Sequence, residues 1–67
     1  MTVARVTEIS ATSSKSFDDA VEQGVARAAQ TLRNVVSAWV KEQRVTVKDS
    51  KIESYQVNMM VTFLLED

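Results

Sequence analysis

Few side chains in this 67-residue sequence can do chemistry, and the residue types already exclude most reactions. There is no histidine and no cysteine. Histidine is the usual general base near neutral pH and the commonest metal ligand, and the thiolate is a strong nucleophile and soft ligand. Their absence removes Cys–His pairs, thiolate metal sites and disulfides together. A nucleophile–base pair would need lysine or carboxylates; no paired carboxylates fall in a pocket motif, and a single glycine, Gly24, rules out a glycine-rich phosphate loop. What remains is binding chemistry. Gln56 carries an amide that both donates and accepts, as the edge of a flat heteroaromatic ligand requires; it also suits an exposed strand position or a pairing across an interface. Trp39 offers a stacking surface, or an anchor for a subunit contact, where tryptophan is enriched. Glu42 and Arg44, spaced two apart, share a strand face and suit a pore lining, a contact between subunits, or a solvated ion pair worth ~0–1 kcal/mol. Met60 suits an adaptable interface. Glu66 and Asp67 supply oxygen atoms of the kind calcium or magnesium takes, or simply end the chain in a solvated tail.

These groups need a scaffold, and composition bounds what it can be. Residues 1–67 make one domain. A domain of this size buries only about 60% of the surface of its unfolded chain. Ordering it costs on the order of 1.5 kcal/mol per residue, so a lone core comes out near zero. Without disulfides or a thiolate metal site, association with copies of itself is the expected source of stability. Eight Lys/Arg stand against nine Asp/Glu with no basic stripe, which argues against nucleic acid. No apolar run approaches the ~20 residues of a membrane span. Met1 to Ser10 alternates and carries Arg5 and Glu8, unlike a signal peptide, so a cytoplasmic location is the expectation.

Four elements are expected. Val3 to Ser10 is rich in β-branched residues and reads as a strand with apolar residues of both parities. Ala11 to Lys15 reads as a polar loop. Ser16 reads as an N-cap, with Asp18 and Asp19 in the first turn and Asp19 in the place of a capping-box acid. Phe17 to Arg33 reads as a helix, since Phe17, Val21, Val25, Ala28 and Leu32 follow three-and-four spacing, with Ala20 and Gly24 widening that face for close approach. Asn34 is the expected C-cap. Val35 to Val47 reads as a second strand, Lys48 to Lys51 as a turn, and Ile52 to Leu65 as a third strand with strict alternation. The class is α+β, in the order β-α-β-β. The helix should cover the odd-numbered face of the last strand and leave Gln56, Asn58 and Met60 on a free face.

In this order and spacing the motifs resemble the dodecin family. T-S-S at Thr12 to Ser14, A-R-A-x-x-T-L-R-N from Ala26 to Asn34, E-x-R at Glu42 and Arg44, Y-Q-V at Tyr55 to Val57 and F-x-L-E from Phe63 to Glu66 carry the resemblance. It implies a three-stranded antiparallel sheet curled around one helix and a hollow homododecamer of cubic symmetry. It also implies flavin (riboflavin, FMN or FAD) held in pairs where outer sheet faces of neighbouring subunits meet, for storage or protection rather than catalysis. The glutamine of Y-Q-V, here Gln56, is the expected ring contact, and the stretch from Val35 through Ser37 to Trp39 is the expected wall. The family's stacking tryptophan falls at Ser37, and two frequent glycines fall at Ala11 and Val45. Stacking on an aromatic side chain is worth roughly 1–3 kcal/mol for a nucleobase, so Ser37 implies weakened flavin binding. The alternative is a shell of this family that has lost flavin and carries another small ligand or ion.

Overall fold

The computed structural model describes residues 2–65. The elements run β1 (Ala4–Ser13), α1 (Phe17–Thr31), β2 (Val35–Lys48) and β3 (Lys51–Leu64). The sheet is three-stranded and antiparallel, in the order β1-β3-β2, so the last strand is central. This is the expected α+β arrangement.

The central strand explains the core. Val57, Met59 and Val61 alternate on one face of β3 and are fully buried, and Ala20 of α1, at zero exposure, clusters with Val57 and Met59. Ile9, Ala11, Phe17, Val21 and Val25 pack around that cluster. Phe17 closes its end with an edge-to-face contact to Tyr55, ring centroids 5.2 Å apart. The small face of the helix is a requirement of distance. A Cβ built at Gly24 runs into Met59 Cε and falls 3.1 Å from Ala11 Cβ. A side chain there would make the Met59 end and Ala11 give way, so glycine lets α1 settle this low on the sheet without displacing them.

The helix start is as expected, with the Ser16 hydroxyl accepting from the Asp19 amide at 3.0 Å. The Asp19 carboxylate does other work than closing a capping box. It accepts from Ser13 Oγ at 2.5 Å and from Gln23 Nε2 at 2.7 Å. Ser13 is itself buried and also accepts from the Lys15 amide at 2.9 Å. The polar stretch after β1 is therefore a latch between strand and helix.

Three boundaries differ from the sequence expectation, each for a tertiary reason. Residues 11–13 are strand and not loop, because β3 is long enough to pair Ala11, Thr12 and Ser13 with Val57, Gln56 and Tyr55. The helix stops at Thr31. Leu32 is extended, at φ −107° and ψ 134°, though its amide still reaches Ala28 O. Asn34 does take the left-handed conformation, at φ 60°, but as the corner into β2, where its carbonyl accepts from the Leu64 amide at 3.0 Å. The β2–β3 turn carries two positive φ angles, Asp49 at 53° and Ser50 at 65°, the pattern of the tight hairpin turn whose twist matches its strands.

The molecule is long for its mass, at 52 × 19 × 13 Å. Its radius of gyration is 13.8 Å, against about 11 Å for a compact chain of this length. It exposes 4990 Å², where a compact chain of this mass exposes about 4,200 Å². The excess lies in β2. α1 sits over β1 and β3, and every β2 residue after Val35 is exposed.

Candidate outer-face binding site

Directly opposed residues of paired strands share a face, so the register fixes what stands on the side away from α1. One row reads Val6–Thr62–Ser37, the next Glu8–Met60–Trp39, then Ser10–Asn58–Glu42, then Thr12–Gln56–Arg44. The rows are about 6.8 Å apart along the strands. Ser37, Trp39, Glu42, Arg44, Gln56 and Met60 thus come together on one surface, as the sequence reading expects.

β2 changes parity within this surface. Ser37 and Trp39 are odd-numbered, Glu42 and Arg44 even-numbered, and a bulge at Lys41 makes both pairs face the same way. A second irregularity between Val35 and Ser37 has the opposite effect on Val35. Val35 pairs with Phe63, on the α1 side, and is half-buried there. The expected wall therefore loses Val35: the irregularity turns it away from Ser37, and Ser37 and Trp39 stand without it.

The polar groups form a chain across the sheet. Gln56 Nε2 donates to Ser10 Oγ at 2.9 Å and, at 3.5 Å, to Asn58 Oδ1. Asn58 Nδ2 donates to Glu42 Oε1 at 3.2 Å. Both neighbours hold the Gln56 amide through its NH2 group, which fixes its orientation and leaves the carbonyl oxygen to accept an N–H from outside. One row along, Lys41 Nζ lies 3.5 Å from Glu8 Oε1, each side chain about half exposed. Further out, the Thr46 and Ser54 hydroxyls bond at 2.5 Å. Trp39, 51% exposed, gives this surface a large uncovered ring.

Sequence reasoning missed Lys41, Glu8 and Ser10 as members of the face. Glu8 and Ser10 were legible from the parity of β1. Lys41 was not, because a bulge has no local signature here. Grooves of about 490 and 390 Å³ lie against α1 and at its C-terminal end, away from this face.

Residues 3–66 match the family model for Dodecin. The chain belongs to the dodecin family. Among its relatives, the dodecin of Thermus thermophilus is 35% identical over 65 residues, covering 97% of this chain and 94% of that protein. The dodecin structure from Streptomyces davaonensis superposes with a TM-score of 0.93 at 39% identity, covering 98% and 97% of the two chains. A calcium dodecin from Mycobacterium tuberculosis, described as having a novel calcium-binding site, is also similar, with a TM-score of 0.82 and 31% identity over 96% of this chain and 91% of that one. Glu42, Arg44 and Gln56 stand with Ser37 on the outer face. Among the described residues there is no group of three or more Asp, Glu, His or Cys placed to hold a metal ion; Glu66 and Asp67 lie outside the described residues. No helix among the described residues is long and apolar enough to cross a membrane.

Proposed function

We propose that this chain assembles with copies of itself, as a homododecamer, and holds flavin between outer sheet faces, sequestering it without chemical turnover. The observation that carries this reading is the Gln56 amide, oriented by Ser10 and Asn58 with its carbonyl oxygen free, on the same open face as the Trp39 ring. The residues fit the ligand. An isoalloxazine presents N–H and carbonyl groups along one edge and two flat faces. Gln56 is the edge contact. Trp39 is the stacking surface, one row from the place left small by Ser37. Glu42, Arg44 and Met60 line the same face and form the contact with the neighbouring subunit. Bound there, flavin would bring its redox and light-driven chemistry; the protein's part is to hold the ring and shield it from water and other reactants.

Flavin binding is weaker than in relatives with a tryptophan at position 37. Losing a stack worth about 1–3 kcal/mol lowers affinity roughly tenfold to a hundredfold. The second reading, a dodecin shell that carries another small ligand or ion in place of flavin, is favoured by one observation, the exposed Ser37 where the stack would stand. Fluorescence titration of riboflavin, FMN and FAD with the purified protein separates the two. Saturable quenching at a fixed ratio of flavin to subunit supports flavin storage and shows which flavin is preferred. Unquenched flavin at micromolar protein sinks it in favour of the second reading.

A further inference from the structure

The Gln56 amide has two orientations, and its immediate neighbours cannot choose between them. Ser10 Oγ accepts from Gln56 Nε2 at 2.9 Å, but a hydroxyl both donates and accepts, so it would serve a reversed Gln56 equally well. Asn58, at 3.5 Å, carries an amide that can itself present either group. Glu42 differs. A carboxylate only accepts, and Asn58 Nδ2 donates to Glu42 Oε1 at 3.2 Å. That contact turns Asn58 Oδ1 toward Gln56, which draws the Gln56 NH2 group inward and leaves its carbonyl oxygen outward. Direction enters the chain of hydrogen bonds at one end, from a side chain on β2 that reaches Gln56 only through Asn58 on β3.

We infer that Glu42 and Asn58 are positioning residues that set which ligand the outer face accepts: a flat ring with an N–H donor on the edge that meets Gln56. They act through the Gln56 amide and need no contact with that edge themselves. A ring offering only acceptors there meets the outward carbonyl oxygen and leaves it unpaired, which lowers affinity about two- to tenfold for one hydrogen bond. Flavin meets the demand through its N3–H, which stands between two ring carbonyls. The ligand half of the inference rests on the flavin reading; the direction of the hydrogen bonds does not.

Releasing that direction has a specific consequence. With Glu42→Gln, the amide at position 42 can donate to Asn58, Asn58 can reverse, and Gln56 is free to turn its NH2 group toward a ring carbonyl beside N3. Flavin still binds, but its N3–H no longer decides the affinity. Asn58→Leu cuts the relay with the same result. Adding Asn58→Asp to Glu42→Gln places an acceptor-only group next to Gln56 and restores the original orientation. A mere loss of packing or assembly weakens every ligand alike and is not repaired in this way.

The test is fluorescence titration of the protein with FMN and with FMN methylated at N3, expressed as the ratio of their Kd values. The bulk of the methyl group is common to all variants, so the change in the ratio is the readout. The ratio should favour FMN in the unaltered protein, fall about two- to tenfold in E42Q and in N58L, and return in E42Q/N58D, all in particles of unchanged size. Equal weakening of both flavins, or no return in E42Q/N58D, would overturn the inference. So would an unmoved ratio in E42Q and N58L, which would mean that another group, such as Arg44 opposite Gln56, holds the amide. If the unaltered protein binds neither flavin, the flavin reading fails, and the direction of the hydrogen bonds is measured without ligand from the NMR signals of the Gln56 side-chain NH2 group. Those signals should move in E42Q and N58L and return in E42Q/N58D; signals that stay in place would overturn the inference by themselves.

Discussion

Replacing Ser37 with tryptophan should tighten flavin binding, and the structure sets the expected size. Ser37 is exposed and opposes Thr62, with Val6 completing the row. An indole there stands over a threonine and displaces no buried atom. The cost in stability should stay within about 0.5 kcal/mol, the usual range for surface substitutions. Ser37 and Trp39 share a face about 6.8 Å apart, so the new ring extends the aromatic surface that Trp39 begins. The gain is one ring stack, about 1–3 kcal/mol, or roughly tenfold to a hundredfold in Kd. The assay is a flavin fluorescence titration of the parent, S37W, W39A and the double variant. W39A should weaken the parent by a similar factor and S37W by less, because the new ring takes over the stack. The four affinities make a double-mutant cycle with a non-zero coupling between positions 37 and 39. Unchanged affinity in S37W, with the assembly intact, would refute the reasoning, since it would mean that flavin does not meet this row of the sheet.

Three further substitutions test other parts of the account. Gln56→Ala removes the ring-edge amide; at about 0.5–1.5 kcal/mol per hydrogen bond it should weaken flavin two- to tenfold by titration without lowering the melting temperature much, and an unaltered Kd would take the amide out of the site. Gly24→Ala sets about 1–3 kcal/mol of overpacking against a helix-propensity gain of about 1 kcal/mol. Because the new Cβ runs into the buried Met59 end, net destabilisation of about 1 kcal/mol is expected in urea, largely restored by adding Met59→Leu; a stabilised G24A would show that α1 has room to spare. Ser50→Gly relieves a left-handed serine at φ 65°. The relief of roughly 1–2 kcal/mol, less about 0.5–1 kcal/mol of glycine entropy, should raise the melting temperature slightly, and a fall would contradict the turn assignment.

How much of this was legible in the sequence depends on the kind of signal. β3 declared itself because its odd positions from Tyr55 to Leu65 are all apolar and its even positions largely polar, and the buried Val57, Met59 and Val61 follow that pattern. Ser16 declared the helix start through the chemistry of its hydroxyl. The end of β1 did not, because Ala11, Thr12 and Ser13 have loop-like types and are strand only through their pairing with β3. The helix end misled because Leu32 continues the apolar spacing although the chain has already turned toward Asn34. The candidate site was legible wherever parity sufficed, at Gln56, Asn58 and Met60, and again at Glu42 and Arg44. The irregularities of β2 were not, and they decide that Lys41 joins the outer face and Val35 leaves it. A register shift is settled by which partner residue lies opposite, and local sequence holds no record of that.

The central claim, that an assembly of this chain holds flavin, is tested most directly by sedimentation velocity of the protein with FMN, followed in the flavin absorbance band. The account predicts that flavin absorbance moves with a single boundary far faster than a 7.5 kDa chain could give. Flavin that stays behind as free ligand while the protein boundary moves ahead would contradict it, and so would a protein that sediments as a monomer.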